Sequence, residues 1–383
     1  MVNQRSRELL MCALLLTVSI VALPSFAAGK RWSSKGQPGP GVTALVMSRS
    51  NPSLLYVGAY GGGVFRSLDA AESWQAWTAQ TFGEWSAPVN VGPPINTIYN
   101  DNYAVLSRNE LTMYFTSDRP GSLGGDDLWF ATRESVDSPW GEPQNMGAPI
   151  NTTFTDSLPF LSSNEHVLYF YSTRPSGSCG APGPGDIWMT RRREGDDGQH
   201  GEDGQHGEDG QHGVKHSDWE EPINLGCVLN TSADEIAPAF FEDPETEQAW
   251  LFYGSNRPGS ADYDVYASPL GEHGLAGPGI LVPEFSSPGR DTRIFIRKDG
   301  LEAFITSNRA GGQGGIDIWT STRQTVSDAW SVPTNLGIPV DSSSNDGSPW
   351  LSKDGTTLYF FSDRPGSLGK RDIWYTTRVK LND

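Results

Sequence analysis

The stretch Leu351-Ser-Lys-Asp-Gly-Thr-Thr-Leu-Tyr-Phe-Phe-Ser-Asp-Arg-Pro-Gly366, followed by Asp372-Ile-Trp374, decides the fold. Apolar runs flank Lys353-Asp354-Gly355, a turn signal, so the stretch reads as two antiparallel strands. A Gly-containing loop then leads from Arg364 into a third strand at Asp372. The same order returns along the chain. Ser-x-Arg-Pro-Gly, or a close variant, places Arg119, Arg174, Arg257, Arg309 and Arg364. Asp-(Ile/Leu/Val)-(Trp/Tyr) begins at Asp127, Asp186, Asp264, Asp317 and Asp372. An acidic residue opens the first strand of each copy: Asp101, Asp156, Glu235, Asp291 and Asp346. A fourth string, Trp-x-x-Pro-x-Asn-x-Gly, starts at Trp85, Trp140, Trp219 and Trp330, and a decayed copy lies near Gly279 to Phe285.

Self-similarity at a period of about 55 residues, with four short strands per unit, is the signature of a propeller blade. One blade cannot bury both faces, so blades must stack around an axis. The last copy stops after its third strand, and the Trp85 string precedes any first strand. Pairing 85–92 with the last copy predicts an all-β, five-bladed propeller of four-stranded antiparallel blades over 85–379. The blades lie near 101–147, 156–226, 235–285, 291–337 and 346–379, the last completed by 85–92. Such closure leaves no exposed sheet edge. The repeat strings are similar to those of the WD40-like β-propeller repeat family, of the TolB type. The resemblance covers about 101–379 and implies a propeller that binds a protein or peptide partner at its channel face.

Segments outside the ring read differently. Arg5 and Arg7 precede an apolar run from Leu9 to Leu23, and Ser25-Phe26-Ala27 supplies a small-x-small cleavage site. Residues 1–27 are therefore expected to be a signal peptide, and the mature chain to be exported, periplasmic or secreted, without a transmembrane segment. Residues 28–40 read as a flexible leader. Within 41–80, Ser67-x-Asp69-x-Ala71-x-x-Trp74 resembles the Asp-box of sialidase-type propellers, and the segment is expected to form a separate small β module. Residues 194–216 repeat a Gly-Glu-Asp-Gly-Gln-His unit and hold His200, His206, His212 and His216. Glycine at every third or fourth position fixes no ligand geometry, so this segment reads as a disordered insert, and no metal or other cofactor is expected. Cys179 and Cys227 fall in two loops of one blade face and are expected to form a disulfide.

Charge narrows the partners. With 46 acidic against 28 basic residues the chain carries a net charge of −18, which disfavours nucleic acid. The B–C loops and D-to-A connections share one end of the channel, so the repeated charges gather there. Each repeated arginine is expected to fork between the acid opening strand A and the aspartate opening strand C, ordering its loop. Blade four departs with Arg290, Asp291 and Arg293, expected to face the mouth and take an acidic ligand. No Gly-x-Ser-x-Gly and no His-Glu-x-x-His occurs. The leading expectation is a monomeric, non-enzymatic propeller that binds a protein or peptide. Its alternative is a glycan-active hydrolase or lyase using two or three of Asp101, Asp156, Glu235, Asp291 and Asp346 as acid and base.

Overall fold

The computed structural model describes residues 42–47, 55–59, 63–67, 75–77, 82–175, 184–193 and 219–381. The signal segment, the leader, the His-containing insert and Cys179 lie outside these residues. Among the described residues the chain is all-β apart from a single 3-10 turn at Glu272–Gly274.

Two units separate at Trp77. The first is a four-stranded antiparallel sheet of Val42–Met47, Leu55–Ala59, Gly63–Ser67 and Gln75–Trp77, paired in chain order. Of the Asp-box residues, only Ser67 lies within it.

The second unit is a ring of five four-stranded blades. Blade one comprises Asp101–Leu106, Thr112–Ser117, Asp127–Thr132 and Gln144–Asn145, here called strands A to D. Blade two comprises Asp156–Leu161, Val167–Ser172, Asp186–Arg191 and Ile223–Asn224. Blade three comprises Glu235–Glu242, Ala249–Ser255, Asp264–Pro269 and Ile280–Leu281, so the decayed string still supplies a strand D. Blade four comprises Asp291–Ile296, Glu302–Ser307, Asp317–Thr322 and Thr334–Asn335. Blade five comprises Asp346–Leu351, Thr357–Ser362 and Asp372–Thr377, and its strand D is Val89–Asn90 from the other end of the ring segment. Trp374 pairs with Asn90 and Tyr375 with Val89, which closes the circle.

Local chemistry explains each blade. In the Asn-x-Gly of strand D, Gly92, Gly147, Gly226 and Gly337 hold φ between 62° and 74°, where a side chain is disfavoured. The turn lets each glycine N–H reach the asparagine Oδ1 two residues back, as Gly147 does to Asn145 at 2.7 Å. Strand A carries a bulge in every blade, between its second residue and its fifth or, in blade four, between its first and its fourth. Such a bulge bends the innermost strand as it enters the crowded axis.

The core lies between blades and is aromatic-rich, with Tyr114, Phe115, Phe170, Phe304 and Phe360 at most 1% exposed. The channel is closed at its waist. Phe160 of blade two and Phe295 of blade four are not on neighbouring blades, yet their rings meet at 6.2 Å. Arg293 of blade four also donates from Nη2 to the Pro159 carbonyl of blade two at 2.7 Å.

Candidate functional site

The repeated charges form one device built five times. Arg119 Nη2 sits 2.6 Å from Asp101, and Arg174, Arg309 and Arg364 hold Asp156, Asp291 and Asp346 at the same distance. Arg257 holds Glu235 at 3.3 Å. All five acids are fully buried. The serine two residues before each arginine accepts its Nε–H at 2.8–2.9 Å. The guanidinium also donates to carbonyls of the preceding D-to-A turn, for example those of Ile95, Leu229 and Phe285.

Two expectations are corrected here. The arginines do not fork to the strand-C aspartates. Asp127, Asp317 and Asp372 instead accept backbone N–H groups of their own B–C loops, as Asp127 does from Leu123 at 2.7 Å. Asp186 accepts from Asn224 at 2.9 Å, and Asp264 is stabilised by Ser260 and Ala261. The aromatic residue of the Asp-Ile-Trp string is the shelf for the clamp: Arg119, Arg174 and Arg364 lie 5.1–5.3 Å above Trp129, Trp188 and Trp374. Second, the alternative acid–base set is unsuited to catalysis. A carboxylate sealed from solvent and held by a guanidinium has neither the access nor the tunable proton that the chemistry needs.

The residues that differ between blades sit at the same end of the channel. In each junction a carbonyl just before strand C accepts the N–H of the next strand A. The residues supplying it are Asp126, Gly185, Tyr263, Ile316 and Arg371. The residues just before strand A are Asn100, Thr155, Asp234, Arg290 and Asn345. Backbone geometry is repeated while the side chains vary, apart from the asparagine shared by positions 100 and 345.

Two carboxyls stand out among them. Asp234 accepts the Tyr263 hydroxyl at 2.5 Å and the Tyr171 hydroxyl at 3.1 Å. Burial nevertheless raises its pKa above the usual carboxylate value, against the pull of those phenols and of Arg290. Burial also raises Asp126, and the neighbouring Asp118 charge pushes it further. Both side chains are half-buried rather than sealed. Tyr103, Tyr171 and Tyr263 pack with Leu158, Ile236 and Ala237 beside them. Arg371 lies 4.7 Å over Phe361 and donates to the Tyr103 hydroxyl at 3.2 Å. The sequence reading passed over Asp126 and Asp234 because each is adjacent to a repeated acid that drew the attention. Their failure to recur was the available signal.

The blade-four residues do not gather at the mouth. Asp291 belongs to a clamp. Arg290 stacks 4.0 Å over Tyr263 at the rim, with Asp262 at 3.9 Å. Arg293 is 1% exposed inside the channel. Cys227 is disulfide-bonded.

The opposite end of the channel holds an open cavity of about 470 Å³, with Phe160, Phe241, Phe295 and Trp350 in its wall. Its carboxylates are on the A–B turns and, for Glu242, at the end of strand A. Glu165 accepts the Arg108 N–H, and Glu242 accepts the Ser163 hydroxyl at 2.5 Å.

Sequence reasoning also missed a second arginine set at this end. Arg133, Arg192, Arg323 and Arg378 close strand C and stack 4.3–4.6 Å over Trp140, Trp219, Trp330 and Trp85. Each Nε–H also binds a carbonyl of its own blade's A–B turn, at 2.6–3.0 Å.

No family model matches the chain, and no curated protein does. Among solved structures, the chain is similar to an α-L-arabinofuranosidase from Lactobacillus brevis, at 12% identity and TM-score 0.48, over 76% of this chain and 93% of that one. It is also similar to an endo-arabinase from Bacteroides thetaiotaomicron, at 13% identity and TM-score 0.49, over 78% of this chain and 99% of that one. A Penicillium chrysogenum α-L-arabinanase complexed with arabinobiose matches at 14% identity and TM-score 0.44, over 86% of this chain and 90% of that one. These propellers carry titles of glycan-cleaving enzymes, and none is of the TolB type. The expectation of a non-enzymatic propeller for a protein or peptide partner is corrected accordingly, and with it the leaning against an enzyme.

Proposed function

We propose that this chain is an exported glycan-active hydrolase whose acid–base pair is Asp126 and Asp234, at the channel end where the B–C loops and D-to-A turns meet. The observation that supports the reading is a division of labour among carboxyls. Five repeated acids are sealed and ion-paired, whereas two unrepeated ones stay accessible and hold their protons more tightly than an ordinary carboxyl. Glycoside hydrolysis needs one carboxyl that delivers a proton to the leaving group and a second that acts as base or nucleophile. Asp126, raised by burial and by Asp118, suits the acid. Asp234, whose carboxylate two phenols stabilise, suits the base. The tyrosines beside them offer apolar faces for sugar rings and hydroxyls for orientation. The TolB-like repeat strings then describe the scaffold, not the chemistry.

The test is turnover of a panel of neutral and acidic polysaccharides and aryl glycosides by residues 28–383, with the anomeric configuration of the product read by NMR. Hydrolysis that Asp126→Asn and Asp234→Asn each abolish is the expected result. A panel without turnover, or turnover that survives both substitutions, overturns the reading.

A further inference from the structure

The third residue of strand A faces the channel axis and differs in every blade: Tyr103, Leu158, Ala237, Arg293 and Ser348. Arg293 is the only cation among them. It is 1% exposed, and its guanidinium spans the channel to the Pro159 carbonyl on Nη2 and lies 5.3 Å from the Phe160 ring centroid. Nε and Nη1 have no partner. Among the described residues no carboxylate forms an ion pair with it, in contrast to the five clamp arginines.

Such an arrangement is expensive. An isolated charge moved out of water loses several kcal/mol of solvation, and a guanidinium keeps its charge across the working pH range. A π face and one carbonyl recover a fraction of that. Burial pushes the group down to about 9, against a smaller upward pull from Tyr103. The titratable group that acts on its charge is Tyr103, a phenol already engaged by Arg371. The blades flanking Arg293 contribute Ala237 and Ser348, the smallest side chains of the five. Ser348 is 2% exposed, and its Oγ is also without a partner. Unpaired donors at the same register position of two adjacent strands, one of them a charge without a counter-charge, make an acceptor of negative charge the missing component.

We propose that the channel waist binds a small monovalent anion, a halide or the carboxylate of an organic acid, through Arg293 Nε–H and Nη1–H with the Ser348 hydroxyl as a further donor. The site is separate from the mouth carboxyls and stands whether or not the chain cleaves glycans. The anion holds blade four to blade two and to blade five, so its occupancy sets the rigidity of the ring.

The experiment is thermal melting of residues 28–383 at constant ionic strength. Chloride, bromide, acetate and galacturonate are each titrated against a bulky organic sulfonate. The expected result is a saturable rise in Tm on the order of a few degrees, present in the wild type and lost in Arg293→Leu. A rise with halides identifies a free ion as the source, and a rise confined to acetate and galacturonate identifies a carboxylate ligand. Because Arg293→Leu also alters the packing of the waist, the wild type is also crystallised with bromide and its anomalous signal mapped. A bromide peak beside the Arg293 guanidinium supports the site when halides raise Tm. Melting that is the same in every anion, with no density for any of them at Arg293, overturns it.

Discussion

Two rings of side chains share one end of the channel, and they obey opposite rules. The outer ring, Asp101/Arg119 and its four counterparts, repeats with the same ion pair and the same serine in every blade. The inner ring, which includes Asp126, Asp234, Arg290 and Arg371, varies around the circle, with only Asn100 and Asn345 alike. A repeated group answers a need that recurs five times, the ordering of one B–C loop against one strand A. A group that occurs once answers a need that the molecule has once. Position alone would assign both rings to a ligand, and only the contrast between them separates holding from acting.

Substitution should break that contrast cleanly. Asp126→Asn and Asp234→Asn are expected to lower kcat by about 10³-fold or more, while urea midpoints stay near that of the parent. Arg364→Ala should do the reverse. It leaves Asp346 buried without its counter-charge, a change costing on the order of 3–5 kcal/mol. Urea unfolding measures that loss, and an unchanged midpoint would remove the clamps from the account of stability.

The same contrast explains what the sequence could and could not tell. Five blades, the closure by Val89–Asn90 and the residues that open strands A and C were legible because a strand's hydrophobic period and its turn residues are local properties, and five copies average away the noise. The clamp was legible as a pairing of Asp101-type acids with Arg119-type arginines, since both recur. Its third member was misread, because the Asp127-type aspartates also recur and the spacing cannot say that backbone N–H groups of Leu123 and Gly124 already satisfy them. Arg293 looked like a mouth residue three positions from Arg290. The bent strand A carries it inward instead, to the far wall of the waist. Asp126 and Asp234 were invisible for a different reason: self-comparison reports what repeats, and a site is what does not.

Blade junctions offer a smaller test. Asn96, Asn151 and Asn230 each accept a strand-C N–H on Oδ1 and donate from Nδ2 to the same residue's carbonyl, as Asn151 does with Leu128 at 2.9 and 2.8 Å. The junction of blades four and five has Asp341 there. It accepts from Ile318 at 2.9 Å, and Asp317 and Asp346 crowd it. Burial first, then those two charges, raises Asp341 to about 7. The folded chain therefore holds a proton that the unfolded chain releases at about pH 4. Stability from this site falls as pH climbs from about 4 to about 7, and the full penalty applies above that. Asp341→Asn restores the donor, so the variant should exceed the parent by about 1–2 kcal/mol at pH 8 and match it near pH 4. Denaturant unfolding at the two pH values measures the difference. A gap of equal size at both would assign the effect to packing rather than to the proton.

The smallest effect concerns the far end, where Arg133 stacks 4.3 Å over Trp140. Blade three has no such pair: Leu270 occupies the place of the arginine, and its strand D lacks the tryptophan. Four stacked blades beside one unstacked blade imply that the stack is useful but dispensable. A partly exposed cation–π contact contributes about 0.5–1 kcal/mol, and the Arg133 Nε–H bond to the Glu110 carbonyl at 2.8 Å adds a comparable amount. Trp140→Leu removes the first and leaves the second, so it should cost the lower figure, whereas Arg133→Leu should cost roughly the sum. Equal losses from the two substitutions would mean that the arginine acts only through the ring. In either case the mouth carboxyls, at the other end of the same blade, should keep their activity, because nothing at the far end touches them.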